Sequence, residues 1–247
     1  MATVLLVRHG RTSANTAGIL AGRSPGVELD DLGRTQAADL GQRMTGVALT
    51  TMVTSPLRRC RQTTQALAAA RTDPLPISVD TGLVECGYGD WTNRSLKELS
   101  KERLWRTVQQ QPSAVRFPGG EAMTEMAARA VGTVRRWDEK LNAEHGEDAV
   151  WVAVSHGDVI KAILADALGT HLDTFQRILV NPASVSVVRY TAARPYVVTM
   201  NSSGHDLRTL FPPRKPGTKR ARRSRASHDA PVGGGLGTHE PTAETAS

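Results

Sequence analysis

Cysteine and aromatic residues are scarce in this chain of 247 residues: there are 2 Cys, and Phe, Trp and Tyr together make up 4%. Two cysteines, Cys60 and Cys86, cannot build a disulfide framework or a cysteine-rich zinc module. Long hydrophobic runs are missing too. The apolar start at residues 1–7 is too short for a signal peptide and has no basic lead-in. No stretch approaches the roughly 18 apolar residues of a spanning helix, so a soluble, cytoplasmic protein without membrane attachment is expected. The histidines lack metal-ligand spacing, and neither a metal nor another cofactor is expected. What the chain does have is 39% apolar residues, enough to build a core and to exclude wholesale disorder.

The net charge of +7 invites a polyanion as partner, and its distribution weakens that reading. Residues 212–247 carry seven basic and three acidic side chains, a balance of +4, which leaves +3 for residues 1–211. The stretch from Pro212 holds no Phe, Trp or Tyr, and it contains Pro212-Pro213, the basic run from Lys219 to Arg225, and Gly233-Gly234-Gly235. It reads as a disordered basic tail, because it cannot bury enough surface to offset the entropy of ordering. Residues 1–211 form the expected domain. Binding of nucleic acid or an acidic membrane surface rests on the tail alone, and the tail lacks the aromatic residues on which bases stack.

Within residues 1–211, short apolar runs alternate with helical patterns. Strands are expected at 3–7, 51–54, 77–79 and 150–154. Helices are expected at 32–44 with Asp31 as cap, from Ser55-Pro56 to about Ala70 with Ser55 as cap, from Ser95 to Pro112, from Glu121 to His145, and at 158–168. Segments 185–190 and 196–200 alternate like a hairpin of exposed or edge strands. The alternation implies an α/β fold, a three-layer α/β/α sandwich around a mostly parallel sheet. Ligands bind such sheets beyond the carboxyl ends of the strands.

Those ends carry the chemistry. The first strand runs into Arg8-His9-Gly10, the second into Ser55-Pro56-Leu57-Arg58-Arg59, and the fourth into Ser155-His156-Gly157. After the third strand comes Glu85. Arginine presents planar paired donors that match phosphate oxygens, and a helix N-terminus adds backbone donors for an anion. A neutral histidine attacks phosphorus, a second stabilises the transferring group, and a carboxyl group protonates the leaving oxygen.

Arg8-His9-Gly10, Ser55-x-Leu57-x-Arg59-x-x-Gln62-Thr63, Glu85 with Gly89-x-Trp91, and Ser155-His156-Gly157 stand in an order that resembles the histidine phosphatase superfamily, with its phosphoglycerate mutase-like fold. The resemblance covers roughly residues 1–205. It implies that His9 is the nucleophile of a phosphohistidine mechanism and that Arg8, Arg59 and His156 form the phosphate pocket. Glu85 becomes the general acid/base, and Asn15 and Gly157 are further substrate-binding positions. Gly89-Asp90-Trp91 and the loop Pro118-Gly119-Gly120-Glu121 resemble the phosphatase branch, whereas Tyr88 matches a position of the mutases. The resemblance therefore implies a phosphatase acting on a small phosphorylated metabolite. The alternative is a phosphoglycerate mutase or related phosphomutase that depends on 2,3-bisphosphoglycerate. The oligomeric state stays open, a homodimer included. Cys60 is expected in core packing, Cys86 in a loop or pocket wall, and Asp158 as an ordinary acid at a helix N-terminus.

Overall fold

A computed structural model describes residues 2–204 together with Val232 and Gly233. Its centre is a sheet of six strands in the order β3-β2-β4-β1-β5-β6. Strands β1 (Thr3–Arg8), β2 (Thr51–Thr54), β3 (Ile77–Val79) and β4 (Val150–Ser155) run parallel. Strand β5 (Val185–Arg189) is antiparallel to β1, and β6 (Tyr196–Ser202) is antiparallel to β5. The carboxyl ends of β1, β2 and β4 thus lie side by side, with Arg8 opposite Ser155 and Thr54 opposite Val154.

The apolar runs are continuous because both sheet faces are covered. Val4 and Leu6 of β1 and Trp151 and Ala153 of β4 belong to one buried cluster. The intervening Leu5, Val7, Val152 and Val154 belong to the other, as a period of two requires. The chain's helices supply the two outer layers. Helices α1 (Ser13–Thr16), α2 (Asp31–Arg43) and α3 (Arg58–Ala69) come first, and α2 and α3 pack on each other. Leu40 of α2 and Leu67 of α3 close the second cluster. Helices α4 (Leu96–Leu99), α5 (Arg103–Gln110), α6 (Met123–His145) and α7 (Gly157–Ala167) follow. Val134 of α6 and Ile160 and Ile163 of α7 close the first cluster.

Several boundaries differ from the sequence expectation. Helix α2 is capped by Asp30, whose carboxylate accepts from Gly33 N at 2.7 Å, so Asp31 is its first residue. Helix α3 begins at Arg58 after Leu57, with no side-chain cap, because Ser55 lies two residues before the cap position, where its hydroxyl meets His156 and Leu57 N. The helix expected from Ser95 onward breaks into α4 and α5. At the break Glu102 takes extended backbone angles, and Arg94 holds its carboxylate at 2.7 Å. Helix α6 starts two residues later than expected: Glu125 accepts from Ala122 N at 3.0 Å, while Glu121 faces arginines. Strand β5 is interior, with Val185, Ser186 and Val188 buried, and of this hairpin β6 alone lies at a sheet edge. Among the described residues, no helix is long and apolar enough to cross a membrane.

Leu6 sits fully buried in the middle of β1, between β4 and β5. Leu6→Ala is expected to cost about 2–5 kcal/mol of stability. Urea unfolding checks this: the midpoint should fall with the slope unchanged.

Candidate active site

Arg8 and His9 leave the end of β1, and Ser155 and His156 leave the end of β4. His9 N donates to Ser155 O at 3.0 Å, which binds the two departures together. Immediately after His9 the chain passes α2 so closely that a Cβ on Gly10 would strike the carbonyl of Gly33. Arg59 lies in the first turn of α3, and His156 is the residue before α7. Two helix N-termini therefore open onto the same place, and their free N–H groups favour an anion there.

The hydrogen bonds fix which nitrogen of each histidine carries the proton. His9 Nδ1 lies 2.7 Å from Gly10 O, which can only accept, so Nδ1 holds the hydrogen. Arg59 Nε donates to His9 Nε2 at 3.2 Å, so Nε2 presents its lone pair. Arg59 Nη2 donates to His156 Nδ1 at 3.1 Å and to Gly22 O at 2.8 Å. His156 Nε2 then carries its hydrogen toward Ser55 Oγ at 2.8 Å. The two rings stand edge to face, 5.3 Å apart. Burial, with the charges of Arg59 and Arg8 behind it, holds the His9 pKa well below its ordinary value. Burial and Arg59 act on His156 in the same direction. Both rings are neutral at physiological pH.

Glu85 reaches this centre from the segment after β3. Its Oε2 lies 4.0 Å from His156 Nδ1, and its Oε1 accepts from Cys86 N at 2.9 Å. Burial and the nearby Asp158 raise its pKa to about 7, against the opposing pull of Arg59. The segment is clamped from outside the pocket. Arg129 on α6 donates to Gly82 O, Val84 O and Glu85 O at 2.9, 2.7 and 3.1 Å. The same guanidinium grips both oxygens of Glu121 at 2.7 and 3.0 Å. Arg23 adds a bond to Glu85 O at 2.7 Å and one to Glu121 at 2.8 Å.

Arg8 is fully buried, and desolvation lowers its pKa to about 10, so it stays cationic at neutral pH. Its Nη1 donates to Val180 O at 2.7 Å. Asp158, in the first turn of α7, is more than an ordinary helix acid. It is buried, accepts from Tyr88 Oη at 2.8 Å, and lies 3.5 Å from the buried ammonium of Lys161. Arg59 Nη1 is buried with no hydrogen-bond partner among the described residues, a donor left for a ligand.

The structure brings Arg8, His9, Arg59, Glu85 and His156 together, and Gly157 follows His156 as the first residue of α7. Asn15 lines the pocket with His9, Arg59, Glu85 and Tyr88, but its Oδ1 is engaged by Thr12 N at 3.1 Å. Arg58 faces outward to Glu28, and Cys86 packs against Met123 away from the pocket. Cys60 is buried with its Sγ 3.4 Å from His156 Nε2, and burial raises its thiol to about 12, a wall atom of the site. Sequence reasoning missed Arg129, Lys161 and the role of Ser55. Asp158 and Lys161, opposite charges three apart in an otherwise apolar helix, were the legible sign of a buried pair. Val232 and Gly233, from the stretch expected as tail, also line the pocket, and the rest of that stretch lies outside the described residues.

Paired guanidinium donors, two neutral histidines and a protonatable carboxyl group around a water-excluded anion site define an enzyme of phosphoryl chemistry. The family model of the histidine phosphatase superfamily (branch 1) matches residues 4–203, and the chain belongs to that superfamily. Phosphoserine phosphatase 1 of Hydrogenobacter thermophilus is 27% identical over 207 residues, covering 83% of this chain and 94% of that protein. A probable phosphoglycerate mutase GpmB of Erwinia tasmaniensis is 32% identical over 190 residues, 76% of this chain and 85% of that one. A solved mycobacterial glucosyl-3-phosphoglycerate phosphatase, complexed with VO3, superposes with a TM-score of 0.71 at 26% identity. That match covers 81% of this chain and 98% of that one.

Arg59→Ala removes the free Nη1 donor as well as the contact to His9. Each charge-assisted hydrogen bond to phosphate contributes about 1.5–3 kcal/mol, so orthovanadate affinity should fall roughly 10- to 100-fold or more. Titration calorimetry measures the change, with circular dichroism confirming that the variant is folded.

Proposed function

We propose that this chain is a phosphomonoester hydrolase that passes the phosphoryl group through Nε2 of His9, with Glu85 as acid and then base. The observation that carries the proposal is the arrangement around His9. Its Nε2 lone pair lies beside Arg59, its proton is tied to Gly10 O, and a carboxyl group with a pKa near 7 stands across His156.

Nε2 forms a bond to phosphorus as the ester P–O bond breaks, and the departing oxygen takes the Glu85 proton. The imidazole keeps its Nδ1 hydrogen on Gly10 O, which stabilises the positive charge that develops on the ring. Arg8, Arg59 and the two helix N-termini hold the phosphoryl oxygens. In the second half the Glu85 carboxylate takes a proton from water, the hydroxide oxygen bonds to phosphorus, and the P–N bond breaks. Inorganic phosphate leaves, and His9 and Glu85 regain their starting states. The substrate is a small phosphorylated metabolite, as for the phosphoserine phosphatase relative. A cytoplasmic setting agrees with two cysteines that remain free and buried.

A mutase reading draws on the similarity to the probable phosphoglycerate mutase. Incubation with 3-phosphoglycerate separates the two. The hydrolase releases inorganic phosphate without any bisphosphate, whereas a mutase yields 2-phosphoglycerate only when primed with 2,3-bisphosphoglycerate.

His9→Ala is expected to abolish phosphate release from phosphoserine or an aryl phosphate while leaving the fold intact. Full activity in that variant would contradict the mechanism. The pH dependence follows from Glu85. Its raised pKa keeps it protonated, and able to donate, below about pH 7. That proton is lost as pH rises through this value, so kcat/KM should fall on the alkaline side. Glu85→Gln should lose that limb together with most of its activity on alkyl phosphates, and a limb that persists in this variant belongs to another group.

A further inference from the structure

Two residues far from the rest of the site in sequence line the pocket beside it. Val232 is 2% exposed and belongs to the main buried cluster. Gly233 N donates to Asp158 Oδ2 at 3.0 Å. Gly233 O accepts from Arg8 Nη2 at 3.3 Å. A Cβ built on Gly233 would come within 3.0 Å of Leu20 Cδ1, and its φ of 77° lies in the left-handed region that favours glycine. Both residues line the same pocket as His9, Arg59 and Glu85.

With them in place, the free cavity is about 30 Å³. That is room for only a few water molecules, and a phosphoryl group with its organic alcohol would have to share the pocket with Val232 and Gly233. Gly233 also occupies one of the Arg8 donors that a phosphoryl group would use. We propose that Val232-Gly233 is an intramolecular occupant of the substrate site, docked through Asp158, Arg8 and the apolar wall at Leu20, and that substrate binds only when it withdraws. The proposal rests on the reading of this pocket as the substrate site. It makes the free enzyme self-obstructed: the apparent affinity for substrate is the intrinsic affinity reduced by the fraction of molecules with the mouth open.

The occupant is suited to easy release. Among the described residues its contacts include two backbone hydrogen bonds and the buried Val232 side chain, and neither Val232 nor Gly233 has a charged side chain to desolvate. A substrate phosphate offers Arg8 and Arg59 charge-assisted bonds, roughly twice as strong as neutral ones.

Two measurements on the full chain test the proposal. The first needs no turnover. Amide hydrogen exchange at Gly233 should be slow in the free enzyme and speed up on saturation with phenylphosphonate, a substrate mimic that is not hydrolysed. Open-chain exchange at Gly233 before addition, or slow exchange that persists at saturation, would overturn the proposal. The second measurement is kinetic. Val232→Asp puts a carboxylate into an apolar wall near Glu85 and Asp158 and should expel the segment, whereas Val232→Leu should keep it docked. If the mouth is closed in about nine molecules of ten, KM falls about tenfold in Val232→Asp with kcat unchanged. An unchanged or raised KM in that variant would count against it. Because the exchange experiment reads only docking, an inactive enzyme with a phosphonate-sensitive Gly233 would fault the hydrolase reading and leave the docking intact.

Discussion

The Arg59 guanidinium is the interaction on which the rest of the site depends. From one position in the first turn of α3 it touches His9 Nε2, His156 Nδ1 and Gly22 O, and keeps Nη1 free. Burial, with a permanent cation beside two imidazoles, makes protonation of either ring unfavourable, so both remain neutral where an exposed histidine would be partly charged. The same hydrogen bonds dictate the tautomers: His9 is left with its lone pair on Nε2, and His156 turns its N–H to Ser55. The arrangement requires the ends of β1 and β4 to be neighbours and α3 to start beside them, which the parallel pairing of β2, β4 and β1 supplies.

Around this cation lie two buried charge networks with separate tasks. Asp158, Tyr88 and Lys161 place a carboxylate within range of Glu85 and push its proton affinity upward. Arg129, Glu121 and Arg23 act on the main chain and hold the three carbonyls of the Glu85 segment. One network raises the proton affinity of Glu85, and the other fixes the main chain that carries it. The cost of burying these charges is offset by the forked grip of Arg129 on Glu121 in one network and by the Tyr88 and Lys161 contacts of Asp158 in the other.

The sequence made the strand ends legible because their chemistry follows directly from backbone periodicity. Arg8-His9 and Ser155-His156 stand where apolar runs stop, and parallel strands must bring such ends together. Glu85 stood out as the carboxylate following the third strand, and the family resemblance gave it its role as acid and base, although a short irregular segment separates it from β3. Arg129 was not visible at all: it is one arginine among several on a long amphipathic helix, and its partners are carbonyls more than forty residues away. Ser55 looked like a helix cap by local rules, but α3 starts at Arg58, and the Ser55 hydroxyl meets a tertiary partner, His156. The net charge of +7 was a poor guide to the site, whose cations are buried and balanced by buried carboxylates. Val232 and Gly233 lie in a stretch whose composition argues for disorder, and no local pattern distinguishes two residues that fit a pocket.

The central claim is that burial and the charge of Arg59 keep His9 neutral, and that Gly10 O and Arg59 fix its tautomer. Nitrogen-15 NMR of the histidine rings, recorded between about pH 5 and 8 where an unperturbed histidine titrates, tests it directly. The account predicts that His9 shows a protonated Nδ1 and an unprotonated Nε2 throughout, with no titration. An imidazolium that forms near the ordinary histidine pKa, or a ring protonated on Nε2, would contradict it.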